Sequence, residues 1–215
     1  MALLAASPSI ICLQETKLVV SFFKASTFLP PCCRSFLFFP SDSASGGLLI
    51  AWNNSDWDCS LLAKNDFSLT CSFLSRVSDV SFCLSNIYGP CDSPTKPAFL
   101  SELLSLAHIA NGPWALIGDF NQTIWPSDRS NSHFNAAEAS RFAAAISSLE
   151  FLEVPLLGRS FTWTNQQSSP ILVRLDRAFV DLQWSSLFPN STLSFLPRST
   201  SDHVPIVLSV SFDVP

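Results

Sequence analysis

The chain has 215 residues, of which 47% are hydrophobic and only 13% charged, with a formal net charge of −5 and a pI of about 5.0. That balance supplies a substantial core and excludes global disorder. It gives no global electrostatic case for nucleic acid, which leaves only a local basic rim for that role, and no uncharged apolar run reaches transmembrane length.

The N-terminal stretch "MALLAASPSIICLQ" lacks a basic n-region and Pro8 breaks its apolar run, so a signal peptide is not expected. Within it, "SIICLQETK" reads as a buried strand ending at Gln14 and Glu15. "ASTFLPPCCRSFLFFP" is interrupted by Pro30 and Pro31 and reads as an irregular loop leading into a short strand. "GGLLIAW" is a strand opened by two glycines, and "SLTCSFLS" and "DVSFCLSNIYG" are neighbouring strands joined near Ser78 as a hairpin. "PTKPAFLSELLSLAHI" places Phe99, Leu103 and Leu106 at helical spacing. "WALIGDFN" is an apolar strand that Gly118 closes into a turn, with Asp119 and Asn121 behind it, followed by a polar loop from Gln122 to Ser132. "NAAEASRFAAAISSL" is a helix capped by Asn135, with Glu138 placed to complete a capping box. "SFTWTN", "VRLDRAFV" and "HVPIVLSVSF" complete the strands. There is no internal repeat and no linker, so residues 1–215 are expected to form a single domain of helices among largely β segments. The seven cysteines include no C-x-x-C pair and read as buried reduced thiols of an intracellular protein.

Four acids share one context. Glu15, Asp119, Asp176 and Asp202 each stand at or beside the end of an apolar run, in "ICLQETK", "LIGDFN", "VRLDRAF" and "TSDHVPI". Acids at four strand ends are expected to converge at one rim of a sheet, where their repulsion favours a divalent cation. Oxygen-only ligands favour Mg²⁺ or Mn²⁺ over zinc. The alternative is separate pairing with arginines, such as Arg174 and Arg177 beside Asp176. His203 follows Asp202 directly at a strand start, with acids available to orient it, an arrangement suited to phosphoryl chemistry. Arg129, Arg159, Arg174, Arg177 and Arg198 flank these motifs and are expected to form a local basic rim.

In order, "LQETK", "NIYGP", "GDFN", "FTWTN", "RLDRAF" and "SDHVPI" resemble the endonuclease/exonuclease/phosphatase superfamily, and within it the endonuclease domain of plant LINE-type (non-LTR) retrotransposons. The resemblance runs from about Ser9 to Ser211 and implies an α/β four-layered sandwich, two mainly antiparallel sheets packed face to face with outer helices. It implies Mg²⁺-dependent nicking of DNA, in the nucleus, with no membrane and no inferable protein partner. By the same resemblance Glu15 and Asp202 ligate the metal and Tyr88 bonds the scissile phosphate. Asp119 activates water beside Asn121, and Asp176 holds His203, which stabilises the phosphate. The family's first strand, with its N-x-R-G pattern, has no counterpart before Glu15, so a copy with its first strand missing is expected. Two other readings stand beside the nuclease: a catalytically impaired truncated remnant of that domain, and a phosphatase of the same fold acting on small phosphoesters.

Overall fold

The computed structural model describes residues 7–16, 29–40, 46–198 and 200–211. Strands β1 (Ile10–Leu13), β2 (Ser35–Phe39) and β3 (Leu48–Trp52) form an antiparallel three-stranded sheet in the order β1-β3-β2. Strands β4 (Trp57–Lys64), β5 (Ser68–Ser75), β6 (Ser81–Tyr88), β7 (Trp114–Asp119), β8 (Leu152–Glu153) and β11 (Asp176–Val180) form a six-stranded sheet in the order β4-β5-β6-β7-β11-β8. Its pairs are antiparallel except β6 and β7, which run parallel through helix α1 (Lys96–Leu106). Two ribbons complete the strands: β9 (Trp163–Thr164) with β10 (Leu172–Val173), and β12 (Thr192–Phe195) with β13 (Ile206–Ser209). Helices α2 (Ala136–Ser148) and α3 (Leu182–Leu187) follow β7 and β11 respectively.

Strand alternation explains the layering, because side chains two residues apart share a face. In β3, Leu48 and Ile50 point to the space between the sheets, while Leu49 and Ala51 point to the other face with Leu29 and Cys33. In β7, Ala115 and Ile117 face the inter-sheet core, while Trp114 and Leu116 face α1 and α2. The helix-side core is aromatic: Phe120 meets Phe179 edge-on at 5.0 Å and Phe142 at 5.6 Å, contacts worth about 0.5–1.5 kcal/mol each beyond area burial. Among the described residues, α1 and α2 cover only the outer face of the six-stranded sheet. No helix among the described residues packs on the outer face of the three-stranded sheet.

The expected hairpin of β5 and β6 forms, and Phe99, Leu103 and Leu106 are the buried face of α1. Four expectations are corrected. Gly118 is not a turn: it lies inside β7 with φ +145°, and a Cβ there would stand 2.1 Å from the Ile87 carbonyl oxygen of β6. The glycine therefore serves a close approach of two parallel strands. Glu138 completes only half a capping box: Asn135 accepts from its N–H at 3.2 Å, but its carboxylate goes to Ser93 and Lys96 at 2.6 Å each. "VRLDRAFV" is two elements, because Arg174 N–H turns to the Asp128 carbonyl and Leu175 N–H to Thr162. All seven cysteines are free thiols, but Cys32 and Cys91 are exposed. β4, β8, β12 and α3 have no counterpart in the sequence reading; β4 mixes polar residues into its run and shifts register between Leu61 and Ala63.

Candidate active site

Residues 115, 117 and 119 share a face of β7, and residues 176, 178 and 180 share a face of β11, so Asp119 and Asp176 point toward the inter-sheet space at its lip. They are direct cross-strand partners, and both are buried. Tyr88 ends β6 as the register partner of Asp119 in the parallel pair. Gly89 makes this possible, since a Cβ there would stand 2.1 Å from the Phe120 carbonyl oxygen.

His203 lies against both carboxylates. Its Nδ1 is 2.8 Å from Asp176 Oδ2 and its Nε2 is 3.8 Å from Asp119 Oδ2. The loop bearing it is held by Val204 N–H to the Thr162 carbonyl at 2.7 Å and by Thr164 N–H to the Asp202 carbonyl at 3.1 Å. Asn121 braces Asp119: its backbone N–H donates to Oδ1 at 2.9 Å and its amide to Oδ2 at 3.0 Å, while the same amide donates to the Gly89 carbonyl at 2.9 Å. It does so with φ +49°, a conformation asparagine tolerates better than most residues.

Glu15 stands just past β1 with φ +50°, exposed. A Cβ on Gly46 would meet Glu15 Cγ at 2.7 Å and Tyr88 Cε1 at 3.0 Å, which places Glu15 beside Tyr88. Asp202 Oδ2 accepts from Trp163 Nε1 at 2.9 Å. The residues named from the sequence are therefore brought to one lip: Glu15 beside Tyr88, Tyr88 beside Asp119, and Asp119 beside Asp176 and His203.

Their electrostatics follow from burial and crowding. Burial, then Asp176, push the Asp119 carboxyl up to about 7, against the pull of His203 and the Asn121 N–H. Burial lowers the His203 imidazole, but its bond to Asp176 and the charges of Asp176, Asp119 and Asp202 outweigh that and lift it to about 9. Burial, then Glu15, Cys91, Asp119 and Asp202, raise the Tyr88 hydroxyl, which keeps its proton.

The arginines do not neutralise this cluster. Arg177 is fully buried and bonds Glu153 and Asp128, each at 2.5 Å, while Arg174 pairs with Glu153 at 2.9 Å. The basic rim expected from the sequence loses both of them. Asp119, Asp176 and His203 offer ligand atoms all within 4.8 Å of one another, a group that does not include Glu15 or Asp202, the two acids expected to hold a metal. Crowded, largely oxygen donors without a paired arginine fit a hard divalent cation.

Three residues outside the expected set support it. Thr162 Oγ1 is fully buried and accepts from Leu175 N–H and Asp176 N–H, both at 3.0 Å, fixing the start of β11. Trp163 holds Asp202. Asn86, on the inward face of β6, donates to the carbonyls of Leu13 at 3.0 Å and Leu49 at 2.9 Å and accepts from Gln14 at 2.5 Å. It ties the two sheets together next to Glu15. The amide between "SNIYG" neighbours is visible in the sequence, but its reach to a second sheet is not.

A mixed α/β sandwich with an acid-rich site at the strand ends is the class these features define. The sequence model of the Endonuclease/Exonuclease/phosphatase family matches residues 2–203, and the chain belongs to that family. Among solved structures, the endonuclease domain of TRAS1, a telomere-specific non-LTR retrotransposon, superposes with a TM-score of 0.70 at 13% identity, covering 98% of this chain and 88% of that one. The Xenopus laevis APE2 catalytic domain gives 0.64 at 17% identity over 96% and 84%. D. rerio TDP2 complexed with a single-strand DNA product gives 0.60 at 16% identity over 96% and 87%. No curated protein sequence matches the chain. Among the described residues no helix is long and apolar enough to cross a membrane.

Proposed function

We propose that residues 1–215 act as one unit that hydrolyses phosphodiesters in DNA with a divalent metal, as a nicking endonuclease of the retrotransposon type. The observation that carries this is the imidazole of His203 set between two buried carboxylates, 2.8 Å from Asp176 and 3.8 Å from Asp119. Asp176 fixes the imidazole through Nδ1, so that Nε2 faces the place where Asp119 meets substrate. Asp119, braced by Asn121, holds the attacking water and accepts its proton as the oxygen–phosphorus bond forms. His203 donates from Nε2 toward a phosphate oxygen and stabilises the charge that develops there. Tyr88, its proton retained, donates a second hydrogen bond to the phosphate.

Glu15 and Asp202 would hold the metal at the same lip. The chemistry a bound Mg²⁺ or Mn²⁺ supplies is neutralisation of phosphate charge and stabilisation of the leaving oxygen. The likeness to the TRAS1 domain, a retrotransposon endonuclease, favours DNA over a small phosphoester; the plant LINE-type, nuclear setting of the reading rests on the order of the sequence motifs alone. Relaxation of supercoiled plasmid with and without Mg²⁺, beside hydrolysis of a soluble inositol phosphate, tests it. Release of phosphate from the small ester without nicking would contradict the DNA reading.

A further inference from the structure

Trp125 is set apart from the other tryptophans. It is 62% exposed, whereas Trp57, Trp114 and Trp184 are at most 7% exposed, in the core. An isolated exposed aromatic means little by itself, but this one has a rigid mount. The N–H groups of Trp125 and Ile124 donate to Asp128 Oδ2 at 2.8 and 2.7 Å, and the same oxygen accepts from the fully buried Arg177 at 2.5 Å. The turn Pro126–Asp128 that follows is pinned by Arg174 N–H to the Asp128 carbonyl at 2.8 Å and by Ser130 N–H to the Leu172 carbonyl at 2.9 Å.

That mount is wired to the site. Arg129 bridges Val173, Val173 pairs with Trp163, and Trp163 bridges His203, all antiparallel. Three such steps, each about 4.8 Å, set Arg129 about 14 Å from His203. From the other side, Trp125 follows Asn121 by four residues, a reach of at most about 14 Å. The second route keeps the Trp125 backbone within about 14 Å of Asn121, and the first ties the end of its turn, at Arg129, to the same ladder as His203.

We infer that Trp125 is a stacking platform for an unpaired base of the DNA strand held in the site. Every base presents a π face, so such a platform is tolerant of sequence. A base inside a duplex has its faces occupied, so the platform takes a frayed, displaced or extruded one. This rests on the phosphodiesterase reading above, and it adds a binding residue on a loop to which the sequence motifs assign no role.

The test measures affinity for a labelled single-stranded oligodeoxynucleotide by fluorescence anisotropy, with Ca²⁺ in place of Mg²⁺, and separately the Mg²⁺-dependent hydrolysis of bis(p-nitrophenyl) phosphate, which is too small to span both sites. Trp125→Ala should weaken the oligonucleotide by about 5- to 150-fold, the span of base–aromatic stacking converted to affinity. Trp125→Phe should keep most of it, and both variants should hydrolyse the small diester at the wild-type rate. Equal affinity for wild type and Trp125→Ala, failure of Trp125→Phe to rescue, or a parallel fall in small-diester hydrolysis would overturn the platform. A wild-type chain that does not hydrolyse the small diester in Mg²⁺ contradicts the proposed chemistry instead, while the affinity comparison still decides the platform.

Discussion

Asp119 and Asp176 stand directly opposite each other in antiparallel register, the last residue of β7 and the first of β11. Like charges at such positions repel, and both carboxylates are buried, so the pair costs stability unless something positive lies between them. His203 is that group in the chain itself. The fold accepts an unfavourable pairing at its lip, as functional sites do.

Asp176→Asn keeps the shape of the pair and removes the charge that holds His203. Hydrolysis should fall about 10²- to 10⁴-fold, the worth of one positioned acid–base group. The start of β11 remains tied to Thr162, and relief of the repulsion with Asp119 offsets loss of the His203 pair, so the melting temperature should change little. Steady-state rates and thermal melts of the two proteins check both halves.

The metal-free protein should lose stability as pH rises. Asp119 is raised from 3.8 to about 7, so the folded state holds its proton more tightly and that contribution, full below the unfolded pKa, is lost on the way to pH 7. His203 is raised from 6.5 to about 9, so its contribution is full below 6.5 and lost as pH climbs through 9. In chelator, the difference in melting temperature between wild type and Asp119→Asn should shift against wild type between pH 5 and 7. A difference independent of pH would contradict the crowding of Asp119.

Gly118→Ala should be among the most damaging single changes. The new Cβ would meet backbone, the Ile87 carbonyl oxygen at 2.1 Å, at φ +145°. The cost should reach or exceed about 3 kcal/mol, the upper end of ordinary overpacking. Urea unfolding should show a large fall in midpoint or no cooperative transition.

Asn86→Ala should loosen the two sheets where Glu15 leaves β1. The carbonyls of Leu13 and Leu49 each lose a hydrogen bond, at about 0.5–1.5 kcal/mol apiece. Mg²⁺ affinity, read by calorimetry with a DNA fragment present, should weaken along with stability; loss of stability alone would separate Asn86 from the placement of Glu15.

The α/β sandwich was legible in the sequence, and so was the gathering of acids at strand ends. Acids at the ends of apolar runs mark a rim, because a carboxylate cannot sit within a core strand unpaired, and that argument places Glu15, Asp119, Asp176 and Asp202 together. What escaped it depends on partners distant in sequence. Gly118 looks like a turn until the parallel neighbour β6 is seen against it. Arg174 and Arg177 look like rim cations, but Glu153 and Asp128 draw them inward. The two-residue strand β10 leaves no periodicity of its own and was read into one strand with β11, although its ladder with β9 reaches His203 through Trp163.

In the proposed chemistry the Asp119–His203–Asp176 arrangement cuts DNA with a metal. Supercoiled plasmid is incubated with wild type and with His203→Ala, each in Mg²⁺ and in chelator. Nicked circles should accumulate only for wild type with Mg²⁺. Equal nicking by His203→Ala, or none by folded wild type in Mg²⁺ or Mn²⁺, would contradict it.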